Sequence, residues 1–102
     1  MNRDDYLLKK RVLLVDDEEE LLHMVVSILN EYGFRHITAV QTMKDAIDAA
    51  KKFPPELAIL DVMLPDGNGF DLMKCLKQYS DCPVLFLTAC GEDEDKFKGF
   101  NL

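Results

Sequence analysis

Val12-Leu13-Leu14-Val15-Asp16-Asp17 is the stretch from which the fold can be read. Four apolar residues run without interruption and stop abruptly at two aspartates. A short run that is apolar at every position fits a strand buried on both faces, which is the habit of parallel sheets. From Glu18 onward the period lengthens. Leu21, Val25, Ile28, Leu29 and Tyr32 recur at helical spacing, and Gly33 stops the helix. Upstream, Lys9-Lys10-Arg11 leads into the strand.

The same unit recurs along the chain. His36-Ile37-Thr38-Ala39-Val40 reads as a second strand. Thr42 with Asp45 resembles a capping box in which Asp replaces the usual Glu. Met43, Ala46, Ile47, Ala50 and Phe53 then form an apolar stripe that Pro54-Pro55 ends. Leu57-Ala58-Ile59-Leu60 is the third strand and closes on Asp61. After the turn-rich Pro65-Asp66-Gly67-Asn68-Gly69 comes a helix with Phe70, Met73, Leu76 and Tyr79 inward. Pro83 precedes a fourth strand, Val84-Leu85-Phe86-Leu87, which ends at Thr88. A last helix over residues 92–101 has Phe97 and Phe100 as its apolar side. Strand and helix alternating in this way predict an α/β fold with a parallel sheet, and right-handed crossovers leave few topologies.

The composition bounds the function. With 102 residues the chain is one domain, and 48% hydrophobic residues can build a core without disulfides or structural metal. Twelve basic and 19 acidic side chains leave a net charge of −7, a poor match for the phosphate backbone of nucleic acid. Direct contact with DNA is therefore not expected of these residues. No apolar run approaches a membrane span, and the acidic start Met1-Asn2-Arg3-Asp4-Asp5 does not read as a signal peptide, so a cytoplasmic location is expected. Cys75, Cys82 and Cys90 form no CxxC pair and read as free thiols.

The polar residues are informative by position. Strand one ends at Asp16-Asp17, strand three at Asp61 and strand four at Thr88. Ligand sites of open parallel sheets lie beyond the carboxyl ends of the strands, at the switch in strand order. If strands one and three are neighbours, three carboxylates and a hydroxyl converge. Two carboxylates ~4 Å apart repel by about 4 kcal/mol at an effective dielectric of about 20. Either one takes a proton or a cation sits among them. Oxygen-only ligands favour a hard ion, and a small site completed by water suits Mg²⁺. An aspartate beside Mg²⁺ can act as nucleophile towards phosphorus. Paired acids at a strand end also serve as helix caps and loop residues; it is their coincidence with Asp61 that argues for a site.

At this point the residues resemble a known family, the receiver domains of bacterial two-component response regulators. Val12 to Glu19 is similar to their first strand and acidic pair. Leu60-Asp61-Val62-Met63-Leu64-Pro65-Asp66-Gly67-Asn68-Gly69 resembles their acceptor segment, and Pro83 to Ala89 their fourth strand with its switch hydroxyl. Asp95-Lys96-Phe97-Lys98-Gly99-Phe100 looks like the following helix of members with a winged-helix DNA-binding output.

The resemblance implies a flavodoxin-like three-layer sandwich with strands in the order 2-1-3-4. It implies Asp61 as phosphoacceptor, a sensor histidine kinase as donor, and Thr88 as switch hydroxyl. Mg²⁺ would sit on Asp16, Asp17, Asp61 and the backbone carbonyl of Met63, and Pro65 would set the loop geometry. The family's fifth βα unit, with its Lys-Pro pair, has no counterpart within the 102 residues, so residues 1–102 are expected to form a C-terminally truncated receiver. The fourth strand would then be an edge, and the isolated domain is expected either to pair with a second chain, through this strand or through the last helix (residues 92–101), or to be destabilised.

The expected function is a phosphorylation-dependent switch controlling a C-terminal output outside this chain, not an enzyme turning over an external substrate. Two other readings are a pseudo-receiver that binds partners without phosphorylation and a Mg²⁺-dependent phosphohydrolase. The latter commonly carries an acid two residues past its nucleophile, where this chain has Met63. His23 reads as a solvent-exposed residue on the polar side of the first helix, and His36, opening strand two, lies away from the carboxylates by topology. The acidic runs Glu18-Glu19-Glu20 and Glu92-Asp93-Glu94-Asp95 read as favourable charge at helix N-termini.

Overall fold

Each apolar run becomes a strand in the computed structural model, which describes residues 6 and 8–87. Strands β1 (Arg11–Val15), β2 (His36–Val40) and β3 (Leu57–Asp61) alternate with helices α1 (Glu19–Glu31) and α2 (Met43–Lys52). A two-residue ladder, β4 (Met63–Leu64) with β5 (Gly67–Asn68), precedes helix α3 (Gly69–Leu76), and the fourth long strand is β6 (Val84–Leu87). The helix expected over residues 92–101, Thr88 and Cys90 lie outside the described residues.

The four long strands form one parallel sheet in the order β2-β1-β3-β6, which is the expected 2-1-3-4. From β1 the chain steps outward to β2 and then returns to the other side of β1 as β3. The order therefore reverses between β1 and β3, where the fold leaves a crevice beyond the strand ends.

Alternation along the strands assigns the two faces. Leu13 and Val15 of β1 and Ala58 and Leu60 of β3 pack with Ala46 and Ala50 of α2 and Leu72 and Leu76 of α3. Val12, Leu14 and Ile59 point the other way, against Leu21, Leu22 and Val25 of α1. This gives the expected three layers. Ala46 and Ala50 are fully buried, so α2 lies close against the sheet.

Helix boundaries follow local chemistry. At the end of α1 the Gly33 amide donates to the Asn30 carbonyl and the Phe34 amide to the Leu29 carbonyl, with Gly33 at φ 110°. This is a Schellman close, and the left-handed residue in it is the glycine read as the stop. Thr42 accepts the Asp45 amide at 3.1 Å, as the capping signal predicts.

Four inward assignments differ. Ile28 and Tyr32 are exposed at 43% and 69%, because with Met24 they form a second stripe beside the one buried through Leu21, Leu22 and Val25. Phe53 is exposed just past the end of α2. Phe70 is half-exposed; Leu72 and Leu76 take the core, and the Phe70 ring packs on Phe86 at 4.8 Å.

Candidate metal and phosphoryl site

Register brings the acids together. Val15 pairs with Leu60 across the β1–β3 ladder, so the next residue on each strand, Asp16 and Asp61, emerges at the same level of the crevice. Asp16 and Asp61 are 1% and 2% exposed, while Asp17 is open to solvent. One carboxylate oxygen from each of Asp16, Asp17 and Asp61 lies within 4.8 Å of the others. The three carboxylates anticipated if strands one and three were adjacent are thus brought together, while the hydroxyl expected with them, Thr88, lies outside the described residues.

Each acid is oriented by backbone. Asp16 Oδ1 accepts the Glu18 amide at 2.8 Å, which turns the chain from β1 into α1. Its own amide donates to the Val40 carbonyl, extending the β1–β2 ladder by a step. Asp61 Oδ1 accepts the Met63 amide at 3.3 Å. The Met63 side chain is 65% exposed, and it is the Met63 main chain that meets Asp61. The Val62 amide donates to the Leu87 carbonyl, which ties the segment after Asp61 to the end of β6, immediately before Thr88.

All three donors are carboxylate oxygens, two of them buried, and negative charge packed this closely suits a small hard cation. The donor set fits Mg²⁺, with room for further oxygen ligands on the open side of Asp17. His23, beside Glu19 on the exposed face of α1, and His36 take no part in the cluster. Cys82 is a buried free thiol and Cys75 a half-buried one, as read from sequence.

The segment after Asp61 holds features that sequence reasoning did not assign. Gly69 sits so close to the Asp61 main chain that a Cβ there would overlap the Asp61 carbonyl oxygen. The Gly69 amide donates to the Val62 carbonyl at 2.8 Å. Asn68 caps α3 by accepting the Asp71 amide at 2.9 Å. Asp66, read only as a turn residue, places its carboxylate on α2, and nothing local in the sequence signals that reach.

With the geometry in view, the comparisons agree. The family model described as "Response regulator receiver domain" matches residues 12–102, and the chain belongs to that family. Among curated relatives, the regulatory protein VanRc of Enterococcus gallinarum is 41% identical over 98 residues, covering 93% of this chain and 41% of its own length. The phosphate regulon transcriptional regulatory protein PhoB of Escherichia coli (strain K12) is 39% identical over 93 residues, covering 88% of this chain and 40% of its own. The chain thus spans about two fifths of the length of these relatives. Among solved structures it is similar to the non-phosphorylated HemR receiver domain from Leptospira biflexa. The TM-score is 0.71 at 34% identity, over 91% of this chain and 75% of that one. The domain is therefore a CheY-like receiver of the two-component response regulators, a signalling module and not a classical enzyme. No helix among the described residues is long and apolar enough to cross a membrane.

Proposed function

We propose that residues 1–102 form a phosphorylation-controlled switch in which Asp61 accepts a phosphoryl group from a sensor histidine kinase. The observation that carries this reading is the convergence of Asp16, Asp17 and Asp61 within 4.8 Å at the β1–β3 switch point. Asp16, Asp17, Asp61 and the Met63 carbonyl would hold Mg²⁺, which when bound neutralises charge on the transferring phosphoryl group. An Asp61 oxygen forms the new bond to phosphorus as the bond from phosphorus to the donor's imidazole nitrogen breaks. The freed nitrogen is left to take up a proton. The Met63 amide, donating to Asp61 Oδ1, orients the carboxylate for that attack. Burial of Asp61 limits the approach of water to the acceptor. The Thr88 hydroxyl then hydrogen-bonds a phosphate oxygen, and the active surface gains population. The output is a C-terminal segment outside this chain that controls transcription, in keeping with the transcriptional regulatory name of PhoB, and that segment makes the DNA contacts; the protein works in the cytoplasm. Self-association of two receivers would use the helix expected over residues 92–101 or β6.

Intact mass after incubation with Mg²⁺ and acetyl phosphate tests the acceptor. One acid-stable, base-labile phosphoryl group is expected on the wild type and none on Asp61→Asn. Absence from both would leave a pseudo-receiver that binds partners without phosphorylation. Sustained turnover of a generic phosphate ester would instead indicate a phosphohydrolase.

A further inference from the structure

The segment between Asp61 and α3 is pinned at both ends. At its base, the Gly69 amide closes on the Val62 carbonyl, and Asn68 caps α3. At its tip, beyond Pro65, Asp66 reaches a different helix. Its Oδ1 accepts the Met43 amide at 2.8 Å and its Oδ2 the Lys44 amide at 3.0 Å. These are the first two residues of α2, whose N–H groups have no partner within the helix. Gly67 lies so near α2 that a Cβ there would meet the Met43 sulfur. Between tip and base, Leu64 is buried in the cluster that holds Ala46, Ala50 and Leu72.

A ladder of two residues on each strand is marginal by itself, so its position depends on such anchors. A carboxylate taking two adjacent amides at a helix N-terminus is a charge-assisted, bidentate anchor favoured by the helix dipole. The Met43 and Lys44 amides also hold the Asp66 carboxyl below its ordinary range, so it is ionised at neutral pH.

We infer that Asp66 is a positioning residue: by seating the hairpin tip on α2 it holds the Met63 main chain at the acidic crevice, ready for the cation. The inference rests on the reading of Asp16, Asp17 and Asp61 as a Mg²⁺ site and adds a device that keeps that site formed before the ion arrives. With the anchor gone, the ordering of residues 62–68 is deferred to the moment of binding and weakens it.

The test compares Asp66→Ala, Asp66→Asn and Thr42→Ala in the full chain. Thr42→Ala also strips an amide cap from the first turn of α2 but leaves the hairpin untouched. Mg²⁺ alone is titrated by calorimetry, and amide hydrogen exchange is followed at Met63 and Asn68. Asp66→Ala is expected to weaken Mg²⁺ binding by about tenfold, as loss of an outer support around a metal ligand commonly does. It should also speed exchange at the hairpin amides. Asp66→Asn, keeping one acceptor oxygen, should recover part of both, and Thr42→Ala should lower the melting temperature with Mg²⁺ affinity unchanged. Wild-type affinity and wild-type exchange in Asp66→Ala would overturn the inference and leave Asp66 a helix cap alone. Equal losses of affinity in Asp66→Ala and Thr42→Ala would overturn it too. A wild type that binds no Mg²⁺ would instead sink the site reading, and hairpin exchange would still decide whether Asp66 holds the loop.

Discussion

Glu56 shows how a single side chain joins segments far apart in the chain. Its carboxylate accepts the Arg11 amide at 3.0 Å and pairs with the Lys10 ammonium at 3.3 Å, and its own amide donates to the Arg11 carbonyl. Together these contacts align the start of β1 with the approach to β3, at the opposite end of the ladder from Asp16 and Asp61. The Arg11 amide, then Lys10, hold the Glu56 carboxyl below its ordinary value of 4.5, against the opposing pull of burial. A depressed carboxylate stabilises the fold above the unfolded value, and the contribution disappears as pH falls through the folded one. Wild type should therefore melt higher than Glu56→Gln at neutral pH. The gap should close as pH falls below about 4.5, the region where Glu56 of the unfolded chain titrates. A gap independent of pH in thermal melts would show that charge on Glu56 is not what matters.

Among the helices, α1 depends most visibly on one conformationally special position. Gly33 adopts φ 110°, a region where a Cβ is costly, and the two carbonyls closed by Gly33 and Phe34 depend on it. Gly33→Ala should lose about 1–2 kcal/mol, read as a lower urea midpoint at unchanged slope. The close also brings Leu29 and Phe34 together beside the cluster of Val12, Leu14 and Leu22, so the turn and the core under α1 support each other. Sequence carried this element well: the period of Leu21, Val25 and Leu29 and the stop at Gly33 were both legible. Ile28 and Tyr32 were not separable from that stripe, because α1 is apolar over more than the width the sheet covers. Which stripe faces inward depends on how the helix is rotated against β1, and local spacing does not carry that.

For the molecule as a whole, the acidic crevice is a place where folding and binding oppose each other. Three carboxylates gathered within 4.8 Å repel, and the fold holds them there through the β1–β3 register. If Mg²⁺ binds the folded state, it should stabilise the domain by about 1.4 kcal/mol at ten times its dissociation constant. For a domain of this length that is a rise of roughly several degrees in melting temperature over the EDTA value. Asp61→Asn should lose most of this rise, yet melt above the wild type in EDTA, since one of the repelling charges is gone. Equal melting temperatures with and without Mg²⁺ in the wild type would count against the cation site.

Strand positions, helix boundaries and the candidate acids at Asp16, Asp17 and Asp61 could be read from the chain alone. They rest on short-range physics: unbroken apolar runs, a helical period, a glycine stop, and acids placed where strands end. The adjacency of β1 and β3 was open to local reasoning, although the family resemblance implied it, and it is the parallel pairing of Val15 with Leu60 that turns separated acids into one cluster. The reach of Asp66 to the Met43 and Lys44 amides, the closeness of Gly69 to the Asp61 carbonyl and the seat of Phe70 on Phe86 were decided by tertiary packing. Each is a contact between segments whose separation is set by how α2, α3 and the sheet stack, and that distance has no signature in the spacing of residues along the chain.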